Sequence, residues 1–265
     1  MAMTGYVLVP EDPRAPTEEQ WATMTAEERR RVVAALPSEI PRRTMPEGDA
    51  HRIPKERALE ALREWYRRMR RGIYLSSELP VYYPDQKVFA PDVIAVLDVD
   101  PRQRRSWVVT EEERGLDFAL EVHVSGDAKK DREDNVVRYA RLGIPEYFLF
   151  EPLRARLVGY RLSPERQGTY TPIMPQEGRW ASAVLGLDLA IESGRIRFYN
   201  GSAPLPEAEE LIVRLGGMLD DIVNRELNLQ RELEEERARA EEERARADRF
   251  AQRLRELGID PDSEP

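Results

Sequence analysis

Cysteine is absent from the 265 residues. That excludes disulfides, thiolate metal sites, cysteine nucleophiles and thiol redox switching, and it makes a reducing cytosol the expected compartment. Histidine is scarce, with only His51 and His123 to supply imidazole chemistry. Lysine occurs only at Lys55, Lys87, Lys129 and Lys130, so Arg supplies 37 of the 41 basic residues and lysine-dependent chemistry has few candidates. No run reaches the roughly 18 apolar residues of a membrane span. The opening MAMTGYVLVPEDP also lacks a basic stretch followed by an apolar one, so a soluble, cytoplasmic protein is expected. With no P-loop and no G-x-G-x-x-G, a nucleotide cofactor is not indicated. The absence of G-x-S-x-G, with Ser125 too near His123 in sequence to argue a triad, speaks against a serine hydrolase.

What is present is 41% hydrophobic and 34% charged, enough for one sizeable core and an additional element. The net charge of −9 opposes a nucleic-acid partner at first sight, because phosphate binding draws on cationic surface. Its distribution weakens the objection. Residues 201–265 hold ten Arg against eighteen Asp and Glu, a net −8, which leaves the first 200 residues at −1. A near-neutral body can still carry a local basic face.

Three regions are expected: an irregular N-terminal segment over 1–48, a mixed α/β domain over 49–200, and an acidic helical tail over 201–265. In the first, Thr25 and Glu28 form a capping box ahead of one short helix, and Pro37, Pro41 and Pro46 then break the chain. From Pro54 to Arg71 the apolar Ala58, Leu62, Trp65, Tyr66 and Met69 recur at helical spacing, with Gly72 suited to the stop. The outer face of that helix carries Arg57, Arg63, Arg67, Arg68, Arg70 and Arg71, a solvated face or a contact for phosphates. Period-two stretches follow, IYLSSELPVYY, VFAPDVIAVLDV, WVV and DFALEVHV, and then a helix over 130–142 closed by Gly143 and Pro145. The strand EYFLF completes a strand, helix, strand crossover, and the remainder to Asn200 reads as antiparallel hairpins. From Leu215 to Leu257, a register spaced four and three has ten apolar residues among thirteen, predicting a helix with a coiled-coil seam. Its Glu- and Ala-rich middle equally suits a lone solvated helix.

Chemistry concentrates between Ala90 and Tyr147. Alternation along DFALEVHV sends Phe118, Leu120, Val122 and Val124 to one face and Asp117, Ala119, Glu121 and His123 to the other. A mid-strand acid beside a second one, which Asp92 can supply, is costly unless neutralised, and a hard divalent cation would do so. Spacing alone serves as well for an exposed sheet face with ordinary polar residues. His51, in GDAH, is most simply a helix-entry hydrogen-bonding residue. Tyr139, four residues after Asn135, is expected to orient the site or fill the core.

The runs APDVIAV, FALEVHVS and KKDREDNVVRYARLGIPEYFLFEP resemble the Uma-type restriction-endonuclease family, a branch of the PD-(D/E)XK nuclease superfamily. The similarity covers most of 49–200 and includes GDAH. GIPEYF is its most specific piece, and LRELGIDPD near the end is similar as well. The resemblance implies a restriction-endonuclease-like mixed central sheet flanked by helices, divalent-metal-dependent hydrolysis of DNA, and Mg²⁺ or Mn²⁺ held by Asp92 and Glu121. It places a catalytic lysine either two residues after the strand glutamate or four after the helix-starting Asp131, positions filled here by His123 and Asn135. His123, Lys129 or Lys130 would have to substitute, with His123 and Lys130 the leading candidates. The alternative is a catalytically impaired nuclease fold that serves as a nucleic-acid-binding or oligomerisation module.

Overall fold

The computed structural model describes residues 5–39, 47–125 and 129–256. These fall into two units, Met1–Glu207 and Ala208–Pro265. The first begins with two short helices, α1 (Glu18–Thr23) and α2 (Ala26–Ala35), where one was expected. Thr25 and Glu28 close the predicted capping box. Thr17 and Gln20 close another of the same type, the signal for the helix that was overlooked. Pro41 and Pro46 lie outside the described residues.

Helix α3 (Asp49–Met69) starts five residues before the expected Pro54, which sits inside it. Pro54 removes one intrahelical donor near the N-terminal end. The earlier start brings His51 into the first turn. Arg70 ends the helix in the left-handed conformation at φ 53°. Of its arginines, Arg67 and Arg68 both pair with Glu64, and Arg71 pairs with Asp98.

Strands β1 (Ile73–Ser76), β2 (Val81–Tyr82), β3 (Val93–Leu97) and β4 (Trp107–Val108) follow, then a single turn α4 (Val109–Glu112) and strand β5 (Phe118–Val122). A π-helical turn, Lys130–Asp134, runs into α5 (Asn135–Arg141). Strands β6 (Glu146–Glu151), β7 (Arg156–Leu162) and β8 (Tyr170–Ile173) complete a six-stranded sheet of order β1-β3-β5-β6-β7-β8. Within this sheet only β5 and β6 run parallel, because the helix between them provides the crossover that parallel neighbours require. The short β4 pairs with β2 outside this sheet. Strands β9 (Arg179–Ser182), β10 (Leu187–Glu192), β11 (Arg195–Asn200) and β12 (Ala203–Pro204) form a second, antiparallel sheet.

Both faces of the main sheet are covered. Phe118, Leu120, Val122, Phe148 and Phe150 pack with Ala58, Leu62 and Tyr66 of α3 and with Leu187, Leu189, Ile196 and Phe198 of the second sheet. Fully burying side chains of this size contributes roughly 1.5–3 kcal/mol each. The opposite face packs Ala119, Tyr147 and Leu149 against Tyr139, Ile144, Phe89 and Trp107. The face carrying Glu121 is therefore not an open polar surface. Glu146, fully buried, ties the sheets together, accepting from Arg161 Nε at 2.8 Å and Ala183 N–H at 2.9 Å and pairing with the Ser182 hydroxyl.

The second unit is one helix, α6 (Ala208–Glu256), about 74 Å long at 1.5 Å per residue. Leu215, Leu219, Ile222, Leu229, Leu233 and Phe250 of the predicted seam are exposed along it. Leu257 and the GIDPD segment lie outside the described residues. No helix among the described residues is long and apolar enough to cross a membrane.

Candidate active site

The antiparallel register Val93↔Leu120 sets Asp92, just ahead of β3, opposite Glu121 in β5. Side chains of opposed residues share a face, and here both carboxylates are buried, 6% and 4% exposed. The Asp92 N–H donates to Glu121 Oε2 at 3.3 Å, and the Val122 N–H donates to Asp92 Oδ2 at 2.8 Å. The Ser77 hydroxyl donates to the Asp92 carbonyl at 2.7 Å.

Helix α3 supplies the cationic side. His51 Nε2 lies 3.0 Å from Asp92 Oδ2, and its Nδ1 lies 2.5 Å from Glu47 Oε1. One turn on, the buried Lys55 Nζ pairs with Glu47 and, at 2.8 Å, with Glu78 Oε1. Burial alone would raise the Asp92 pKa, but the His51 hydrogen bond and charge, the Val122 N–H and Lys55 together bring it below the ordinary aspartate value. His51 is raised in return, chiefly by its bond to Asp92.

The π-helical turn and α5 supply the other side. Tyr139 donates its hydroxyl to Glu121 Oε1 at 2.6 Å, while Asn135 Nδ2 reaches Glu121 Oε1 at 3.4 Å and Asp131 Oδ1 at 3.1 Å. Tyr139 thus both orients the site and fills the core. The other oxygen of Asp131 meets His123 Nδ1 at 3.1 Å. Among the described residues the hydrogen-bond donors to Glu121 are all neutral, and burial together with the nearby Asp92 charge pushes its pKa well above the ordinary glutamate value. The two carboxylates are therefore electrostatically unlike, one held ionised and the other biased towards protonation.

A family model described as "Uma2: Putative restriction endonuclease" matches residues 19–192. The chain belongs to the Uma2 family. Membership places it among restriction-endonuclease-like, nuclease-type proteins. Among solved structures the chain is similar to a "putative nuclease belonging to DUF820 from Anabaena variabilis ATCC 29413". That similarity is at 14% identity and TM-score 0.43, over 56% of this chain and 79% of that one. No curated protein matches.

In this Uma2 chain the four sequence-predicted site residues are not equally placed. Asp92 and Glu121 adjoin, and His123 shares the Glu121 face but engages Asp131. Lys130 has a 71% exposed side chain, 3.9 Å from Asp131 Oδ1. Asn135, at one of the expected lysine positions, bridges Glu121 and Asp131. His51 is more than a helix-entry residue, since it reaches Asp92 across 41 positions of sequence. Sequence reasoning missed Lys55, Glu47 and Glu78. The signal was that His51, Lys55, Ala58, Leu62 and Tyr66 share one helical stripe, with a lysine and a histidine continuing an apolar face inward.

Two groupings could hold a metal. Ligand atoms of Glu47, His51 and Glu78 lie within 4.8 Å of one another, but the Lys55 ammonium contacts both glutamates and already supplies positive charge there. Asp92 and Glu121 fit better. Both offer hard oxygen donors, Asp92 Oδ1 has no hydrogen-bond donor among the described residues, and the elevated Glu121 pKa marks negative charge that the protein does not balance.

Proposed function

We propose that this chain is a divalent-metal-dependent endonuclease that hydrolyses DNA phosphodiester bonds. The observation that carries this reading is the buried, directly opposed pair Asp92 and Glu121, whose like charges oppose each other in the absence of a cation. These two residues would hold Mg²⁺ or Mn²⁺. The ion would polarise the phosphoryl oxygen and lower the pKa of a bound water.

The protein's own groups then have separable tasks. His51 and the Val122 N–H fix Asp92, while Tyr139 and Asn135 fix Glu121. A carboxylate on Nδ1 of His123 sets the tautomer that leaves Nε2 as the acceptor, suited to take a proton from the attacking water. Lys130, exposed on the π-helical turn, is free to swing towards a phosphate and offset charge there. The catalytic body occupies 49–200, preceded by the N-terminal segment 1–48. The tail, 201–265, joins copies of the chain through the apolar stripe of α6 in the cytoplasm.

A second reading has one specific observation in its favour: Asn135 and His123 fill both expected lysine positions. On that reading the fold is catalytically impaired and serves as a nucleic-acid-binding or oligomerisation module. Cleavage of plasmid and single-stranded DNA with Mg²⁺ or Mn²⁺ tests the choice. Activity lost in Asp92→Asn and Glu121→Gln, with folding intact, supports the nuclease. A wild type that binds DNA without cutting it supports the module. Light scattering of the full chain beside a chain ending at Glu207 tests the tail, and equal subunit numbers in both would refute its proposed role.

A further inference from the structure

Glu151, at the end of β6, is a buried carboxylate with a 3% exposed side chain that the proposed chemistry does not use. Three arginines converge on it. Arg132 of the π-helical turn pairs with Oε1, Arg154 Nη1 lies 3.3 Å from Oε1, and Arg156 Nη1 lies 3.5 Å from Oε2. One carboxylate is matched by one guanidinium, so three leave a local surplus of two positive charges. That surplus stands out on a chain of net charge −9. Arg154 and Arg156 turn most of their side chains to solvent, 66% and 56% exposed. Among the described residues, two buried polar atoms of the cluster, Glu151 Oε2 and Arg132 Nε, have no hydrogen-bond partner.

The position of the cluster relative to the site is fixed by the sheet. In the parallel pairing of β5 with β6, Glu121 lies beside Leu149 and Val122 beside Phe150, and the His123 N–H donates to the Phe150 carbonyl at 2.8 Å. Glu151 is therefore the next step along β6, beside His123, on the face that carries Glu121. The π-helical turn spans both clusters, with Asp131 on His123 and Arg132 on Glu151.

We infer that Arg132, Arg154 and Arg156 form a phosphate clamp for a nucleic-acid backbone running past the Asp92–Glu121 centre, with Glu151 holding the three guanidiniums in place. The inference rests on the nuclease reading for the substrate class. Exposed guanidiniums retain paired N–H donors matched to phosphate oxygens, and the clamp flanks residues suited to act on a phosphodiester. Such contacts position a strand without reading its sequence.

The test is binding of a fluorescein-labelled DNA duplex to the full chain in EDTA, followed by anisotropy across a salt series. It compares wild type, Arg154→Ala/Arg156→Ala, and a charge-matched control, Arg67→Ala/Arg68→Ala. Each phosphate contact contributes about 0.9 to the slope of log K against log salt. The clamp variant should lose about 1.8 of that slope, which at 0.1 M salt is about 60-fold in affinity when the lines meet at 1 M. The control should stay near wild type, and circular dichroism should show all three folded. An unchanged slope in the clamp variant, or an equal loss in the control, overturns the clamp. Polyglutamate competing as well as unlabelled duplex would assign the patch to acidic proteins and overturn it too. Asp92→Asn separates the two ideas: retained binding with lost cleavage leaves the nuclease reading standing whatever the clamp variant does. A wild type that binds duplex with the predicted slope but never cuts it sinks the nuclease reading alone.

Discussion

Replacing Glu121 with Gln should stabilise the Met1–Glu207 unit at neutral pH and, on the nuclease reading proposed above, abolish metal-dependent cleavage. Glu121 is buried, faces Asp92, and has its pKa pushed well above the ordinary value by burial first and by the Asp92 charge second. Each unit by which a folded-state pKa exceeds the unfolded one costs about 1.4 kcal/mol once the group is forced to ionise. Against that gain, glutamine keeps an acceptor for Tyr139 and Asn135 but gives up the 3.3 Å bond from the Asp92 N–H. Losing one such bond costs about 0.5–1.5 kcal/mol. Because burial and the Asp92 charge both push the Glu121 pKa well up, the electrostatic relief outweighs the lost bond and a net gain is expected, within the roughly 0.5–2 kcal/mol typical of single stabilising substitutions.

The pH dependence fixes the sign. A carboxylate whose folded pKa is raised destabilises the fold above that pKa, and the penalty disappears as pH falls to the unfolded value, near 4.5. Glu121→Gln should therefore exceed wild type at pH 8 and match it or fall slightly below at pH 4. Tryptophan fluorescence during urea unfolding in EDTA is the suitable assay, because all four tryptophans, Trp21, Trp65, Trp107 and Trp180, lie in the first unit. A variant less stable than wild type at pH 8, or a gain of equal size at both pH values, would refute the account of Glu121.

Three further outcomes follow from named contacts. His51→Ala should cost more stability at pH 6 than at pH 9, because the raised His51 pKa contributes stability below its unfolded value that is lost as pH rises through the folded one; parallel urea midpoints at both pH values would contradict it. Gly159→Ala should destabilise by about 1–3 kcal/mol, since a Cβ there would lie 2.6 Å from Cε1 of the buried Phe148 opposite it, and thermal melts read this directly. Glu146→Ala should cost about 1–3 kcal/mol by taking the acceptor from the Ser182 hydroxyl and the Ala183 N–H and the carboxylate from the half-exposed Arg161 between the two sheets, measured by the same urea titration.

The strands and their order of appearance were legible because burial imposes period two on a half-covered strand and continuous apolarity on EYFLF. Asp92 and Glu121 were legible as a pair only through local motifs. Their opposition depends on strand register, which spacing along one strand does not encode. The second cover on the Glu121 face was not legible either, since it comes from Phe89, Trp107, Ile144 and Tyr139, scattered across 55 positions of sequence and joined only by folding. Nor did the spacing foretell that α3 would begin before Pro54. The added first turn carries His51, whose contacts with Asp92 and Glu47 join parts of the chain that spacing along one helix does not relate.

The uneven charge around the two carboxylates gives the lysine question a physical form. Asp92 has His51 and Lys55 on its side, whereas the groups that hydrogen-bond Glu121, the Tyr139 hydroxyl, the Asn135 amide and the Asp92 N–H, are all neutral. An ammonium at position 135 would sit between Glu121 and Asp131, where Asn135 Nδ2 now bridges at 3.4 and 3.1 Å. It would stabilise the ionised glutamate and, on the nuclease reading, add a cation beside the reacting phosphodiester. Asn135→Lys should therefore raise cleavage by about tenfold or more, in keeping with the effect of a single well-placed electrostatic group. In the same background Glu121→Gln should no longer stabilise the fold at pH 8, and the difference between the two gains is the coupling of residues 135 and 121. A folded Asn135→Lys protein with unaltered cleavage and an undiminished Glu121→Gln gain would show that position 135 does not govern the charge on Glu121. The cation that completes the site would then have to come from the His123 and Lys130 side.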